Sequence, residues 1–249
     1  MEGFLRATRH QLVDEAGRPV RLLGVECGPG ADFAALREQG YNVVRLRIDE
    51  PELDATIAAA AVAELRVVIS RVHQPGGLWY SSEVSEDQWI DEWRTVAGRF
   101  VGNPTVIGAD LHHRPGGAAA WFHANPARSW SDAARRCGNA VLAVNADWLI
   151  FVQGVETTPI DRKYTPGGNL SQAADHLVRL SHPEKLVHAA AESPRGGVHL
   201  ARRWDEHWGF LTRAGHGPVV VVAESHGDAG WWAGLQAYLQ RHGIGWMHA

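Results

Sequence analysis

Eight short apolar runs, each followed by a stretch of helical character, constrain this chain more than any other feature. They are RLLGVEC (21–27), YNVVRLRI (41–48), LRVVIS (65–70), TVIGADLH (105–112), WLIFVQG (148–154), KLVHAAA (185–191), PVVVVAE (218–224) and the closing IGWMHA. Runs that are apolar throughout belong to strands buried on both faces, and parallel strands separated by helices are buried in that way. Eight such units in a chain of 249 residues predict a (β/α)8 barrel, a fold of about 250 residues. A doubly wound open sheet is the alternative. It usually carries G-x-G-x-x-G after its first strand, and GVECGPGAD has glycines there without that spacing. With no repeat, low-complexity tract or linker, one domain over 1–249 is expected.

Residues 4–26 read as a hairpin that feeds the first strand, with DEAGRP as its turn. The spacing predicts helices over 33–40, closed by Gly40, and over 52–65, 85–100, 130–145, 199–214 and 231–243, with a further helical piece near 171–180. Ser85, three residues before Gln88, is a capping-box signature.

A net charge of −4 with scattered basic residues gives no electrostatic case for nucleic acid or an anionic membrane surface. No run of eighteen apolar residues exists, so no membrane span is expected. The opening MEGFLRATRH lacks the apolar core of a secretory signal. A cytoplasmic location is therefore expected, with a mature secreted form as the alternative. Cys27 and Cys137 are far apart and have no metal-ligand spacing, so both read as free thiols. The 11 Trp residues fit core packing, or a flat ligand if they line a barrel mouth.

In a barrel the chemistry sits where strands end. Those positions are Glu26, Arg45, Arg47, Arg71, His73, His112, His113, Arg114, Gln153, Glu192, Glu224 and His226. His73, His112, His113, His188 and His226 come from different strands without H-x-x-x-H or H-E-x-x-H spacing, so neither a metal nor a cofactor is expected.

Several segments resemble glycoside hydrolase family 5, in order and over nearly the whole chain. FVGNPTVIGADLHHRP is similar to the family's "GNPtVvGfDLhNEP". SDAARRCGNAVLAVNADWLIFVQGV resembles its next helix and strand, GYNVVRLRI its "GyNtiRLP", and PVVVVAES its "PvwlGEfG". LWYSSEVSEDQWIDEW is similar to the segment after its third strand. The resemblance implies a (β/α)8 barrel and a retaining glycosidase. In such an enzyme two carboxylates, acid/base and nucleophile, stand about 5–5.5 Å apart.

By position the resemblance makes Glu224 the nucleophile and puts Arg114 at the acid/base. An arginine keeps its proton up to a pH of about 12 and cannot serve as that acid. His113 stands where the family has the Asn that contacts the sugar, and His112 keeps the preceding His. Arg45 keeps the strand-two Arg. Val72 aligns with a family His, beside His73. Ala190, Ala191, Glu192 and Ser193 replace a motif with His and Tyr. Gln153 replaces a Glu, and Glu26 an Asn. The family's eighth strand ends in a Trp that floors the sugar site. Here the chain stops just after Trp246, without the last helix, and the exposed flank calls for a rearranged helix seven or a second copy of the chain.

The resemblance and its departures imply Glu224, His113 and Arg114 as catalytic residues. Arg45, His112, His73, Glu26, Gln153, Glu192 and Trp246 are implied to bind substrate. His113 or His73 is a candidate general acid; Glu26 or Glu192 could supply the proton instead. Arg114 could bind a substrate anion in a fork or simply neutralise Glu224. Three functions fit: a repurposed enzyme acting on a small polar or anionic substrate, a non-catalytic pseudo-glycosidase that binds carbohydrate or protein, and a residual glycosidase with an unusual acid.

Overall fold

The computed structural model describes residues 3–72, 76–159, 161, 163–194, 199–224 and 228–249. His73 and His226 lie outside the described residues. Strands β1 (Arg6–Ala7), β2 (Leu12–Val13) and β3 (Pro19–Val20) form an antiparallel sheet of three. The expected hairpin is thus a meander, because the segment after the DEAGRP turn pairs back before entering the barrel.

The barrel strands are β4 (Leu23–Glu26), β5 (Val43–Arg47), β6 (Arg66–Ser70), β7 (Val106–Asp110), β8 (Leu149–Gln153), β9 (Leu186–Glu192), β10 (Val219–Ala223) and β11 (Gly245–His248). All neighbours are parallel, and β11 closes the ring against β4. Around them lie α1 (Phe33–Glu38), α2 (Leu53–Val62), α3 (Glu86–Arg99), α4 (Trp130–Val144), α5 (Leu200–Trp204), α6 (Phe210–Ala214) and α7 (Ala229–Arg241). This is the (β/α)8 barrel that the pattern predicts. The segment near 171–180 is a run of turns rather than a helix. A π-helical turn, Asp205–Gly209, joins α5 to α6.

Strand pleating sorts side chains into two cores. Val43, Val68, Ile107, Leu149, Phe151, Val187, Val220, Val222 and Met247 fill the barrel interior. Their neighbours along each strand, such as Val44, Ile69, Val152 and Val221, face the helices. The helix layer takes most of the tryptophan: Trp79, Trp89, Trp93, Trp121, Trp130, Trp148 and Trp208 are fully buried. Trp89 and Trp93, one turn apart on α3, both donate Nε1–H to the Leu111 carbonyl, at 3.1 and 3.0 Å. Ser85 and Gln88 cap α3 with the predicted box.

Trp246 alternates with the lumen residue Met247 and so points outward. Its ring lies edge-on to Tyr41 at 6.0 Å and to Trp232 of α7 at 5.0 Å. It belongs to the outer packing layer and does not floor a sugar site, because the pleat turns it away from the lumen. Trp232, which also meets the His248 ring at 5.5 Å, lets α7 reach across the outer face of β11, the last element of the chain.

Candidate active site

Above the apolar lumen lies one polar layer, contributed by inward positions at the strand ends. Its centre is Arg45, fully buried on β5. Nη1 of Arg45 pairs with Glu26 Oε2 on β4. Its Nε and Nη2 both reach Asp110 Oδ2 on β7, at 3.1 and 2.8 Å. Gln153 on β8 donates Nε2–H to the same oxygen at 2.8 Å. A buried guanidinium needs such partners, because an isolated charge there would be costly to desolvate. Burial pushes the Asp110 carboxyl above the ordinary carboxylate range, against the opposing pull of Arg45.

Asp110 is not among the strand-end positions named from the sequence. The signal was present, since a lone carboxylate inside the apolar run TVIGADL requires a buried partner. What obscured it is an irregularity in β7: Val67 pairs with Val106 but Val68 with Gly108, so one extra residue shifts the inward–outward count. Gly108 itself sits so close to β8 that a Cβ would lie 2.3 Å from the Leu149 carbonyl oxygen.

His113 rests on this layer. Its Nδ1 lies 3.1 Å from Arg45 Nη2 and 3.3 Å from Gln153 Nε2. Both neighbours can only donate, so Nδ1 accepts and the proton sits on Nε2. Burial, with Arg45 and Arg114 nearby, drives the imidazole pKa down to about 2. His113 is therefore a neutral ring that offers an N–H and is not the general acid the sequence reading allowed. Its Nε2–H has no protein partner among the described residues.

Arg114 follows in a left-handed backbone conformation, φ 59°, which costs a non-glycine residue roughly 1–3 kcal/mol. Three contacts hold it there. Its N–H donates to Gln153 Oε1 at 2.8 Å, and its carbonyl accepts the Gly76 N–H at 2.8 Å. Gly167 packs so tightly that a Cβ there would lie 2.7 Å from Arg114 Cα. From this clamp the guanidinium reaches across the mouth, and Nη1 pairs with Glu224 Oε1. Both side chains are about one-fifth exposed. Glu224 Oε2, and Nε and Nη2 of Arg114, have no partner among the described residues.

Two further expected residues stand elsewhere. Glu192 pairs across the ladder with Ala223, whose side chain faces the helices. Its carboxylate accordingly points outward, where Tyr164 Oη–H and Trp208 Nε1–H donate to Oε1, the latter at 2.8 Å. It is buried and does not line the lumen, and burial next to it holds the Tyr164 phenol well above its ordinary range. His112 is wholly buried, 5.9 Å from the Trp130 ring, so it backs the site and cannot touch a ligand in this arrangement. Outside the site, His188 lies near the opposite end of the barrel, beside Val219, and takes no part in a histidine cluster at the mouth. The Cys27 thiol is pushed up to about 11 by burial and the carboxylates of Glu26 and Glu50, which leaves it unreactive.

Comparison with known proteins shows the family of the chain. The profile described as Cellulase (glycosyl hydrolase family 5) matches residues 13–225. An endoglucanase of Paenibacillus polymyxa is 36% identical over 282 residues, covering 89% of this chain and 71% of that protein. The major extracellular endoglucanase of Xanthomonas campestris pv. campestris is 31% identical over 189 residues, covering 67% of this chain but only 38% of that protein. The solved catalytic domain of the major endoglucanase from Xanthomonas campestris pv. campestris superposes with a TM-score of 0.85 at 25% identity, over 99% of this chain and 90% of that one.

Proposed function

Because the chain belongs to glycosyl hydrolase family 5, we propose that it acts on a sugar derivative at the barrel mouth, with Glu224 as nucleophile or base, and not as a conventional retaining cellulase. The observation that carries this reading is the Arg114–Glu224 ion pair. Glu224 stands at the family's nucleophile position, and its Oε2 has no partner among the described residues. Arg114 stands at the position from which the leaving oxygen would be protonated.

Double displacement needs an acid in its first step and a base in its second. Arg114 supplies neither, because a guanidinium does not exchange its proton near neutrality. Nor does His113, whose one proton is that of a neutral imidazole. Glu192 faces the helix layer, and Glu26 is engaged by Arg45. Covalent attack by Glu224 is then productive only where the departing group is stable without a proton.

The test is a dinitrophenyl glycoside of a cello-oligosaccharide beside unmodified glucan. We expect dinitrophenolate release, no glucan cleavage, and a loss of at least about 1,000-fold in Glu224→Gln, the scale of removing a group that acts in the transition state. Unchanged release in that variant would refute the role of Glu224. A second reading is favoured by the same ion pair, which neutralises the Glu224 carboxylate at the rim: a sugar-binding barrel without turnover. Heat of binding for cello-oligosaccharides, with no dinitrophenolate released by the native chain, would support it.

A further inference from the structure

We propose that Arg114 makes the mouth selective for sugar donors whose leaving group departs as an anion, with glycosyl phosphates as the substrate class. The inference rests on the reading of Glu224 as nucleophile. Three features of the site support it.

The first is the way the ion pair fills the site. A retaining pair stands about 5–5.5 Å apart to admit the anomeric carbon. Here Arg114 and Glu224 touch, so a substrate must part them. A neutral glucan would do so while offering the guanidinium only hydroxyl oxygens in place of an anionic partner. A phosphoryl group replaces the lost carboxylate with anionic oxygens, and Arg is the side chain best shaped to grip them in a fork.

The second is that the donors are already in place. Only Nη1 of Arg114 is committed to Glu224, and Nε and Nη2 have no partner among the described residues. His113, the preceding residue, carries an Nε2–H that also has no partner among the described residues. Arg45 and Gln153 fix that ring from below, and Gln153, Gly76 and Gly167 fix the Arg114 backbone. The anion site is thus built on a rigid main chain rather than on a mobile surface residue.

The third is that phosphate resolves the missing acid and base together. Its second ionisation lies at a pH of about 6, so a glycosyl phosphate monoanion is available near neutrality. As Glu224 Oε2 forms its bond to C1, the C1–O bond to phosphorus-bound oxygen breaks, and hydrogenphosphate dianion leaves onto Arg114. No proton is drawn from the protein. Water then attacks C1 and gives its proton to that dianion, which departs as dihydrogenphosphate, while the ester bond breaks and restores the Glu224 carboxylate. The phosphate does both jobs that a glutamate at position 114 would have done.

The experiment measures two releases from the native chain, Arg114→Gln, Arg114→Lys and Glu224→Gln: phosphate from a glycosyl phosphate and dinitrophenolate from the matching aryl glycoside. The native chain is expected to release phosphate. The ratio of phosphate to dinitrophenolate release should fall about 100-fold in Arg114→Gln and less in Arg114→Lys, mainly through KM for the phosphate donor. Inorganic phosphate should inhibit dinitrophenolate release competitively in the native chain and at least tenfold more weakly in Arg114→Gln. Dinitrophenolate release without phosphate release, or an unchanged ratio in Arg114→Gln, overturns the selectivity while leaving Glu224 as nucleophile. Dinitrophenolate release that survives Glu224→Gln overturns the underlying reading instead.

Discussion

Glu192 and Glu224 end neighbouring parallel strands one step apart in register, and they face opposite ways. Glu192, opposite Ala223, turns into the helix layer, is only 3% exposed and receives Tyr164 and Trp208. Glu224, one residue beyond the end of β10, turns into the lumen and meets Arg114, and its other oxygen has no partner among the described residues. The residue type is the same and the strand ends are adjacent. The difference teaches that on a barrel rim the pleat decides whether a carboxylate is structural or chemical. The two strands show this consistently, since His188, four residues before Glu192, also faces away from the lumen.

The contrast breaks most decisively in activity. Glu224→Gln is expected to lower turnover of an activated donor at least about 1,000-fold, whereas Glu192→Gln should stay within about threefold and instead lower the denaturant midpoint. Comparable activity losses in both variants would mean that Glu192 reaches the substrate after all. The next largest effect is in the polar layer above the apolar lumen. Arg45→Met strands the Asp110 and Glu26 carboxylates, and breaking a buried pair in this way costs about 3–5 kcal/mol. Urea titration of the variant measures it, and a loss below about 1 kcal/mol would show the network to be dispensable.

On the outward face of β9, burial holds the His188 pKa down to about 4, from an ordinary value of about 6.5. Below that ordinary value the unfolded chain takes up a proton that the folded chain refuses. Stability from this residue is therefore complete above about pH 6.5 and is lost as pH falls toward 4, up to about 3 kcal/mol in all. His188→Phe should flatten that part of the stability curve, and parallel curves for the two proteins would remove His188 as the cause. The smallest effect sharpens the comparison from the other side. Arg114→Gln breaks an ion pair that is one-fifth exposed, and partly solvated pairs contribute about 0–1 kcal/mol. A thermal midpoint almost unchanged, beside altered donor selectivity, is the expected signature of a functional rather than a structural pair.

Much of this arrangement is legible in the amino-acid sequence. The eight apolar runs match β4–β11 within one or two residues at nearly every boundary, because a strand buried on both faces must be apolar throughout. The α3 cap was equally local, a matter of Ser85 and Gln88 three residues apart. The segment near 171–180 has helical apolar spacing yet forms turns, because its apolar residues serve packing under a loop. At the site, Glu26, Arg45, Gln153 and Glu224 come together as strand-end residues should. Glu192 and Trp246 do not, because the pleat of β9 and β11 turns them outward, and Asp110 joins the layer through the irregular pairing in β7.

The order of strands, the closed barrel and the arginine at position 114 are properties of the amino-acid sequence, fixed by local patterning and by residue type. Which of the strand-end groups meet was decided only in three dimensions. The pleat gave Glu224 to the lumen and Glu192 to the helices. The donors of Arg45 and Gln153 fixed the proton of His113, and the clamp of Gln153, Gly76 and Gly167 aimed Arg114 at Glu224. Those outcomes depend on contacts between residues tens of positions apart, which no periodicity along the chain records.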